Sequence, residues 1–258
     1  MDRIPTARPS WTEDMRNAAI ETLDSRQWVK GAKGKEFGEL FAAYCGAESA
    51  VPCQNGSSSL WAALKILNIG PGDEVIVPSY TFISTVTAIS LVGATPVFVD
   101  VEEDYWCIDY HSIKNALTSK TKAVIAVHIY GQVYNPEIIN LCKNNSIYLI
   151  EDAAQAHGAS FVDSNGEEHK SGSLGDLGCF SFFPSKNMAV GGEGGMLTTT
   201  RKEFTKLIYG VINHGRSPSL ESIQLGSNLR MSEVSAAIGI EQLKQLDKWV
   251  ERLFLIHI

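Results

Sequence analysis

The sequence predicts an α/β domain in which helices cover both faces of a mainly parallel central sheet. Short apolar segments rich in β-branched residues alternate with helical segments along most of the chain, as they do when helices join parallel strands. The chain has 258 residues, of which 44% are hydrophobic, so it can bury one sizeable core. No repeat or low-complexity tract interrupts the alternation. Together these observations exclude a disordered or fibrous protein.

Charge and composition argue against a nucleic-acid partner and against a metal site. The formal net charge is -7, and Lys and Arg are scattered along the chain, so nucleic acid is not expected to bind. The five cysteines are odd in number, form no C-x-x-C pair and mostly lie in apolar runs. This pattern predicts reduced core residues of a cytoplasmic protein. The six histidines are too dispersed to predict a metal site.

Neither a secretory signal nor a membrane span is predicted. The amino terminus lacks the apolar core of a signal peptide. Segment 75–99 carries no charge, but Pro78, Gly93 and Pro96 interrupt it, and Ser and Thr are frequent between them. We therefore interpret this segment as a strand, a helix and a second strand, all buried in one domain.

Two helices are predicted before the sheet. The apolar residues of 11–23 have helical spacing, and Ser10 is the expected cap. Segment 36–44 predicts a second, short helix with its aromatic residues on one face. Segment 51–59 is expected to be a loop that leads into a helix at 60–67.

Gly56, Ser57 and Ser58 stand at the start of that third helix. Backbone N–H groups, hydroxyls and the helix dipole can together bind an anion there. The alternative is an ordinary serine cap without a ligand.

Strands and helices then alternate as far as residue 212. Phe82, at the start of one helix, has two interpretations, because its flat ring can stack on a ligand or pack in the core. His128 lies in an apolar strand, so we expect a hydrogen-bonded core histidine rather than a catalytic base. The predicted strands are 74–79, 94–101, 122–130, 148–152, the segment from 178 and 196–200, and the predicted helices are 80–91, 113–117, 136–144 and 201–212, with a polar hairpin tip at 163–173.

Residues 148–195 are the most informative stretch. Tyr148–Ile150 is a short apolar run followed by Glu151 and Asp152, which predicts a buried parallel strand with Asp152 at its carboxyl end. Open α/β sheets bind their ligands at that edge. A second strand, beginning near Gly178, runs into a turn that contains Lys186.

Lys186 lies between an aromatic strand and the glycine-rich segment 191–195. A lysine in such a position can be desolvated, which lowers its pKa and lets its amine attack a carbonyl. Pyridoxal 5'-phosphate (PLP) requires a lysine that forms a Schiff base and a carboxylate that pairs with the pyridine nitrogen. Lys186 and Asp152 are the candidates. A core aspartate and a surface lysine would explain either residue taken alone.

Three segments resemble the DegT/DnrJ/EryC1/StrS family of PLP-dependent sugar aminotransferases. They are Glu151–Ala159, Phe180–Lys186 and Gly192–Gly195, and the likeness extends from about Trp28 to the last residues. It implies the large domain of a fold type I, aspartate aminotransferase-like enzyme. It also implies transfer of an amino group, with glutamate as donor, to a keto group of a nucleotide-linked sugar. A keto-cyclitol acceptor and a catalytically silent structural or regulatory relative remain alternatives.

The resemblance assigns roles to individual residues. Lys186 would hold the cofactor and move protons, and Asp152 would keep the ring nitrogen protonated. Gln155 would contact the phenolic oxygen of the ring. His157, close after it, would either face the substrate or pack behind the site. The remaining expected contacts are those to the phosphate, from Gly56, Ser57, Ser58 and Ser181, and the stacking contact of Phe82.

A shared site in a homodimer is also implied. Segment 225–232 matches the G-x-N-x-R-M pattern of the family, in which the asparagine reaches the cofactor phosphate of the partner subunit. Asn228 takes that role, and Arg230 is expected to brace the loop. A nucleotide-binding oxidoreductase is disfavoured because no G-x-G-x-x-G pattern is present. A dehydratase relative, in which histidine replaces the lysine, is disfavoured by Lys186.

The domain organisation follows from the same comparison. We expect an arm at 1–30, the PLP-binding domain at 31–232 and a long amphipathic helix at 233–258. Members of the family continue into a smaller carboxyl-terminal domain. The apolar end at 254–258 therefore predicts a truncated chain that lacks the domain which, by this resemblance, helps to close the substrate site.

Overall fold

A seven-stranded sheet forms the centre of the computed structural model, which describes residues 7–216 and 221–254. A separate two-stranded hairpin carries the polar tip. The strands in chain order are β1 (Ser49–Cys53), β2 (Glu74–Pro78), β3 (Thr95–Val99), β4 (Thr121–Val127), β5 (Tyr148–Asp152), β6 (Ser160–Val162), β7 (Glu168–Lys170), β8 (Leu177–Ser181) and β9 (Gly195–Thr199).

The order of the large sheet is β1-β9-β8-β5-β4-β2-β3. Strands β2, β3, β4, β5 and β8 pair in parallel, and β9 runs antiparallel to both of its neighbours, β1 and β8. The carboxyl ends of β4, β5 and β8 therefore lie side by side. This confirms the mainly parallel sheet that the sequence predicts.

Helices cover both faces. They are α1 (Glu13–Asp24), α2 (Ala32–Cys45), α3 (Gly56–Ile66), α4 (Ile83–Leu91), α5 (Tyr110–Ala116), α6 (Glu137–Asn144), α7 (Lys202–Ile212), α8 (Glu233–Leu243) and α9 (Leu246–Phe254). On one face α3, α4 and α7 pack on the sheet. On the other face α2 and α8 pack beside β8 and β9, and α5 and α6 pack beside β2, β4 and β5.

The alternation of strand residues builds these two cores. Val75 and Val77 of β2 face the α3 side, whereas Ile76 between them faces the α5 side, and all three are fully buried. Phe37 and Phe41 of α2 pack against Phe180 and Met196 of the sheet. The helix–sheet layers therefore exclude water from both faces, as a parallel sheet requires.

Several predicted boundaries are wrong. The cap of α1 is Thr12, whose Oγ1 accepts the Met15 N–H at 3.3 Å, rather than Ser10. Segment 51–59 is not one loop, because 51–53 pairs with β9 as part of β1 and α3 begins at Gly56. The strand expected at 122–130 ends at Val127 and is followed by a 3₁₀ turn at Ile129–Gly131.

The long final helix is also interrupted. An N–H from Gln245 to the carbonyl of Gln242 tightens the chain between α8 and α9, and Leu246 is fully buried just after this break. Leu246 lies in the same buried cluster as Phe37, so the chain after the break still packs on this core. Residues 255–258 of the predicted helix lie outside the described residues. The proposed division at 30 and 232 remains a prediction, while α8 itself packs against α1 and α2.

Segment 75–99 forms β2, α4 and β3, as predicted. Among the described residues, no helix has both the length and the apolar composition needed to cross a bilayer. All five cysteines are buried, which confirms their prediction as core residues.

Candidate functional site

A cavity of about 600 Å³ opens where the carboxyl ends of β4, β5 and β8 meet the amino termini of α3 and α4. Helix termini and the ends of parallel strands both concentrate unpaired polar groups, so ligands commonly bind at such an edge. Seven of the site residues predicted from the sequence line this cavity. They are Gly56, Ser57, Phe82, Asp152, Gln155, Ser181 and Lys186.

Asp152 is the buried acid of the cavity, with 6% of its surface exposed. Thr85 Oγ1 donates to its Oδ2 at 2.8 Å, and the Ala154 N–H donates to its Oδ1 at 3.2 Å. Burial raises the pKa of Asp152, and these two donors and the charge of Lys186 oppose the shift. Within the part of the chain that the structure describes, no cation forms an ion pair with this carboxylate.

Lys186 lies in the turn after β8, and its own N–H donates to the Phe183 carbonyl at 2.8 Å. Burial lowers the pKa of its amine, and the nearby Asp152 carboxylate raises it in part. The amine is therefore easier to deprotonate than that of an ordinary surface lysine. This is the condition under which a lysine acts as a nucleophile or a base.

The first turn of α3 lines one side of the cavity. Asn55 caps the helix, because its Oδ1 accepts the Ser58 N–H at 2.8 Å. Gly56 lies so close to Ser181 that an added Cβ would be 2.7 Å from the Ser181 Cβ. Ser57 is exposed to the cavity, and its hydroxyl donates to Ser84 Oγ at 2.7 Å. The positive end of the helix dipole and these hydroxyls favour an anion here.

Phe82 is the N-cap residue of α4, and 71% of its surface is exposed. The core interpretation of this residue is therefore wrong, because a core phenylalanine would be buried. Its ring faces the cavity and is available to a flat ligand.

Gln155 has its amide oriented by the backbone. The Tyr130 N–H donates to Gln155 Oε1 at 2.9 Å. The Gln155 NH₂ group is therefore the end left for a ligand, and it can only donate. Tyr130 itself adopts a left-handed conformation, with φ 53°, and its hydroxyl pairs with the Tyr80 hydroxyl.

His128 lines the inner wall and has a fully buried partner. Its Nε2 lies 2.8 Å from Glu151 Oε2, and both side chains are 0% exposed. Glu151 also accepts the N–H groups of Gly172, Leu174 and Gly175. Four donors explain why this acid is tolerated in the core. The prediction of a hydrogen-bonded core histidine is confirmed.

Three candidates lie outside the cavity lining. Ser58 is half-buried behind the cap, and Asn228 is exposed and bridges to Asn213. His157 is 1% exposed and packs against the rings of Phe180 and Phe182, at centroid distances of 5.3 and 5.5 Å. This position fits the packed alternative for His157 rather than a surface that contacts substrate.

Sequence reasoning did not identify Thr85, Asn55 or Tyr130 as parts of the site. Asn55 was detectable, because asparagine directly before a helix start is a common N-cap. Thr85 and Tyr130 carry no local signal, since their roles depend on Asp152 and Gln155, which lie far along the chain.

The cavity thus combines an anion-binding helix terminus, an exposed aromatic ring, a buried carboxylate and an amine with a lowered pKa. Together they can bind a flat, phosphorylated molecule with a basic ring nitrogen and a carbonyl group. Lys186 would react with the carbonyl, and Asp152 would pair with the ring nitrogen.

Comparison with known proteins agrees with this chemistry. Residues 9–255 match the DegT/DnrJ/EryC1/StrS aminotransferase family. A UDP-N-acetyl-3-dehydro-alpha-D-glucosamine 3-aminotransferase from Acidithiobacillus ferrooxidans is 43% identical over 217 residues, which are 84% of this chain and 58% of that protein. GDP-perosamine synthase from Caulobacter vibrioides is 37% identical over 253 residues, which are 96% of this chain and 66% of that protein.

The fold is similar to that of a solved aminotransferase. The PLP form of the sugar aminotransferase Spr1654 from Streptococcus pneumoniae superposes with a TM-score of 0.87 at 29% identity. The match covers 95% of this chain and 67% of that structure. The chain therefore spans roughly two thirds, or less, of the length of the proteins it resembles.

Proposed function

Because the chain belongs to the DegT/DnrJ/EryC1/StrS aminotransferase family, we propose that it is the PLP-binding part of a sugar aminotransferase. In this proposal glutamate donates the amino group and a keto group of a nucleotide-linked sugar accepts it. The acceptor class is supported by the names of the two relatives, one acting on a UDP-linked sugar and the other a GDP-perosamine synthase. The family itself was predicted from the motifs around Asp152 and Lys186, and that prediction is confirmed.

The observation that carries the proposal is the convergence of four groups on one cavity. The first turn of α3 suits the phosphate, and the exposed face of Phe82 suits the pyridine ring. Asp152, buried without a cationic partner in the described ranges, suits a protonated ring nitrogen. Lys186 supplies the amine that would hold the aldehyde. The residues present therefore fit PLP.

Each residue then has a defined task in transamination. Bound PLP supplies a conjugated ring that accepts the electrons released when a C–H bond beside an amino group breaks. Lys186 Nζ would take the proton from the Cα of the donor and pass it to C4' of the cofactor, the carbon that carried the aldehyde. Asp152 keeps the ring nitrogen protonated, and the Gln155 NH₂ donates to the phenolic oxygen.

A homodimer in the cytoplasm completes the proposal. Asn228 is exposed and outside the cavity of its own chain, which suits a contact with the cofactor phosphate of a second copy. Phe82, which lines the cavity, and Tyr130, whose N–H contacts Gln155, are each 71% exposed, so a partner could cover them. The free buried thiols suit a reducing compartment.

Covalent capture of the cofactor tests the proposal. We expect added PLP to give a near-ultraviolet or visible absorption band, and borohydride reduction followed by mass spectrometry to locate the cofactor on Lys186. Lys186→Ala should lose the covalent adduct. Lys206→Ala, an exposed lysine on α7, is the matched control and should retain it.

The alternatives give different results in the same assays. A full-length protein that stays colourless in excess PLP would contradict the enzyme and support a regulatory relative. Keto sugars linked to nucleotides, keto-inositols and simple keto acids, each offered with glutamate, would identify the acceptor. Product from keto acids alone would exclude sugar amination.

A further inference from the structure

We propose that Thr85 is a positioning residue for the proposed transamination, and that it orients the Asp152 carboxylate through a relay of two hydroxyl groups that starts at Thr81. The inference rests on the proposed function for its consequence in catalysis. The relay itself is a property of three side chains in this chain.

The direction of the relay follows from the proton count. Thr85 is 0% exposed, and its Oγ1 donates to Asp152 Oδ2 at 2.8 Å. Thr81 Oγ1 lies 2.8 Å from Thr85 Oγ1. A hydroxyl has one proton, and that of Thr85 is given to Asp152, so Thr81 must be the donor in the second bond. Both hydroxyl dipoles therefore point toward the carboxylate.

The relay leaves the acid ready for a ring nitrogen. The second oxygen of Asp152 accepts the Ala154 N–H, so each carboxylate oxygen has one protein donor. A carboxylate oxygen can accept two hydrogen bonds, so each retains a free lone pair for a ligand. Thr85 contacts Oδ2 and the Ala154 N–H contacts Oδ1, so the two bonds together restrict rotation of the carboxylate.

One turn of the chain links this relay to the rest of the cavity. Thr81 and Thr85 are four residues apart, a spacing that places side chains on the same side of a helix start. Phe82 and Ser84, from the same turn, line the cavity, and Ser84 accepts the Ser57 hydroxyl. The turn before and within α4 thus contributes to the ring, phosphate and acid sites together.

The Thr85 hydroxyl helps to keep the Asp152 carboxyl group ionised. Burial raises the pKa of Asp152, whereas the bonds from Thr85 and Ala154 and the charge of Lys186 lower it, and His128 is the other titratable group that acts on it. Cys179, its neighbour on β8, is a buried thiol whose own pKa is raised well above the usual range. Removal of the Thr85 hydroxyl would leave burial less opposed, so the carboxyl group would bind a proton more readily.

Three substitutions test the relay. Thr85→Val keeps the shape and removes the hydroxyl, Thr85→Ser keeps the hydroxyl, and Thr87→Val is the matched control. Thr87 is exposed on the same helix and donates only to the Ile83 carbonyl. We expect Thr85→Val to weaken PLP binding about tenfold or more, because the lost bond is to a charged group. Thr85→Ser and Thr87→Val should stay near the wild-type dissociation constant.

A measurement on the cofactor-free full chain distinguishes an effect of Thr85 on the Asp152 carboxyl group from an effect on the stability of the fold. Carbon-13 NMR of labelled aspartate carboxyl groups, with Asp152→Asn to assign the signal, reports the pKa of Asp152 directly. It should be higher in Thr85→Val than in wild type, and Thr85→Ser should restore it. If Thr85→Val does not fold, Thr81→Val should show a smaller shift in the same direction.

An unchanged Asp152 pKa together with an unchanged PLP affinity in Thr85→Val would overturn the relay. If the melting temperature of that variant is also lower, Thr85 acts in packing alone. If the wild-type protein does not bind PLP, the proposed function fails, but the NMR comparison still decides the relay.

Discussion

At the residue scale, burial acts on Asp152 and Lys186 in opposite directions. It raises the pKa of the acid and lowers the pKa of the amine, because the charged form of each is desolvated. The folded chain therefore binds fewer protons at Lys186 and more at Asp152 than the unfolded chain does. Lys186 should make the fold more stable as the pH rises from its lowered pKa to the ordinary lysine value of 10.5. Asp152 should make the fold less stable as the pH rises from the ordinary aspartate value of 3.8 to its raised pKa. A ligand that neutralises both groups would stabilise the fold.

Burial of His157 also makes the stability of the fold depend on pH. Both of its ring nitrogens are buried without a hydrogen-bond partner among the described residues, and burial beside Lys186 lowers its pKa from 6.5 to about 3. Between these pH values the unfolded chain binds the proton and the folded chain does not. His157 therefore makes the folded state less stable as the pH falls from 6.5 toward 3.

We expect His157→Leu to raise the free energy of unfolding, and to raise it more at pH 5 than at pH 7.5. The additional gain at pH 5 should be about 2 kcal/mol, since each unit below the unfolded pKa is worth about 1.4 kcal/mol. Urea denaturation at both pH values measures it. The exposed His111→Leu on α5 is the control. An equal gain at both pH values would show that His157 titrates normally.

At the element scale, the parallel pairing of β5 and β8 places Asp152 close to the turn that contains Lys186. Asp152 of β5 pairs with Cys179 of β8, so the turn that follows β8 passes the carboxyl end of β5. Helices α3 and α4 both begin at the same edge. Their starts lie where strands end because α3 follows β1 and α4 follows β2 along the chain.

Two substitutions at Asn55 separate its role as the N-cap of α3 from the effect of charge on the proposed phosphate site. Asn55→Ala should lower the free energy of unfolding by about 1 kcal/mol, because the Ser58 N–H loses its acceptor. Asn55→Asp should retain the cap but place a negative charge beside the proposed phosphate site, so PLP should bind more weakly while stability is kept. Thermal melts and fluorescence titration with PLP distinguish the two effects. If Asn55→Asp binds PLP as tightly as wild type, the phosphate lies elsewhere.

At the scale of the whole molecule, the proposed homodimer predicts complementation. Lys186→Ala removes the amine of one site, and Asn228→Asp should disturb the phosphate contact in the opposite subunit. Heterodimers formed by mixing these variants should contain one site with both native residues. Borohydride capture should then recover adduct on the Asn228→Asp chain, which binds PLP poorly by itself. No recovery in mixed dimers confirmed by analytical ultracentrifugation would place Asn228 outside the partner's site.

Much of the architecture was predictable because it depends on local patterns. Apolar runs bounded by turn residues locate the strands, and the motifs at Asp152 and Lys186 identify the family. Boundaries were less predictable where tertiary contacts compete with local preference. Pairing with β9 draws 51–53 into a strand, and a tightened turn between Gln242 and Gln245 interrupts the last helix.

The sequence by itself determined the fold class, the family and the two groups on which the proposed chemistry depends, since residue type and spacing along the chain specify them. Only the tertiary structure decided which groups support them. Thr85 reaches Asp152 across 67 positions, Tyr130 orients Gln155, and His157 lies among buried rings. These contacts join segments that are distant in the chain, and their geometry is set by how the helices and strands pack rather than by any local pattern.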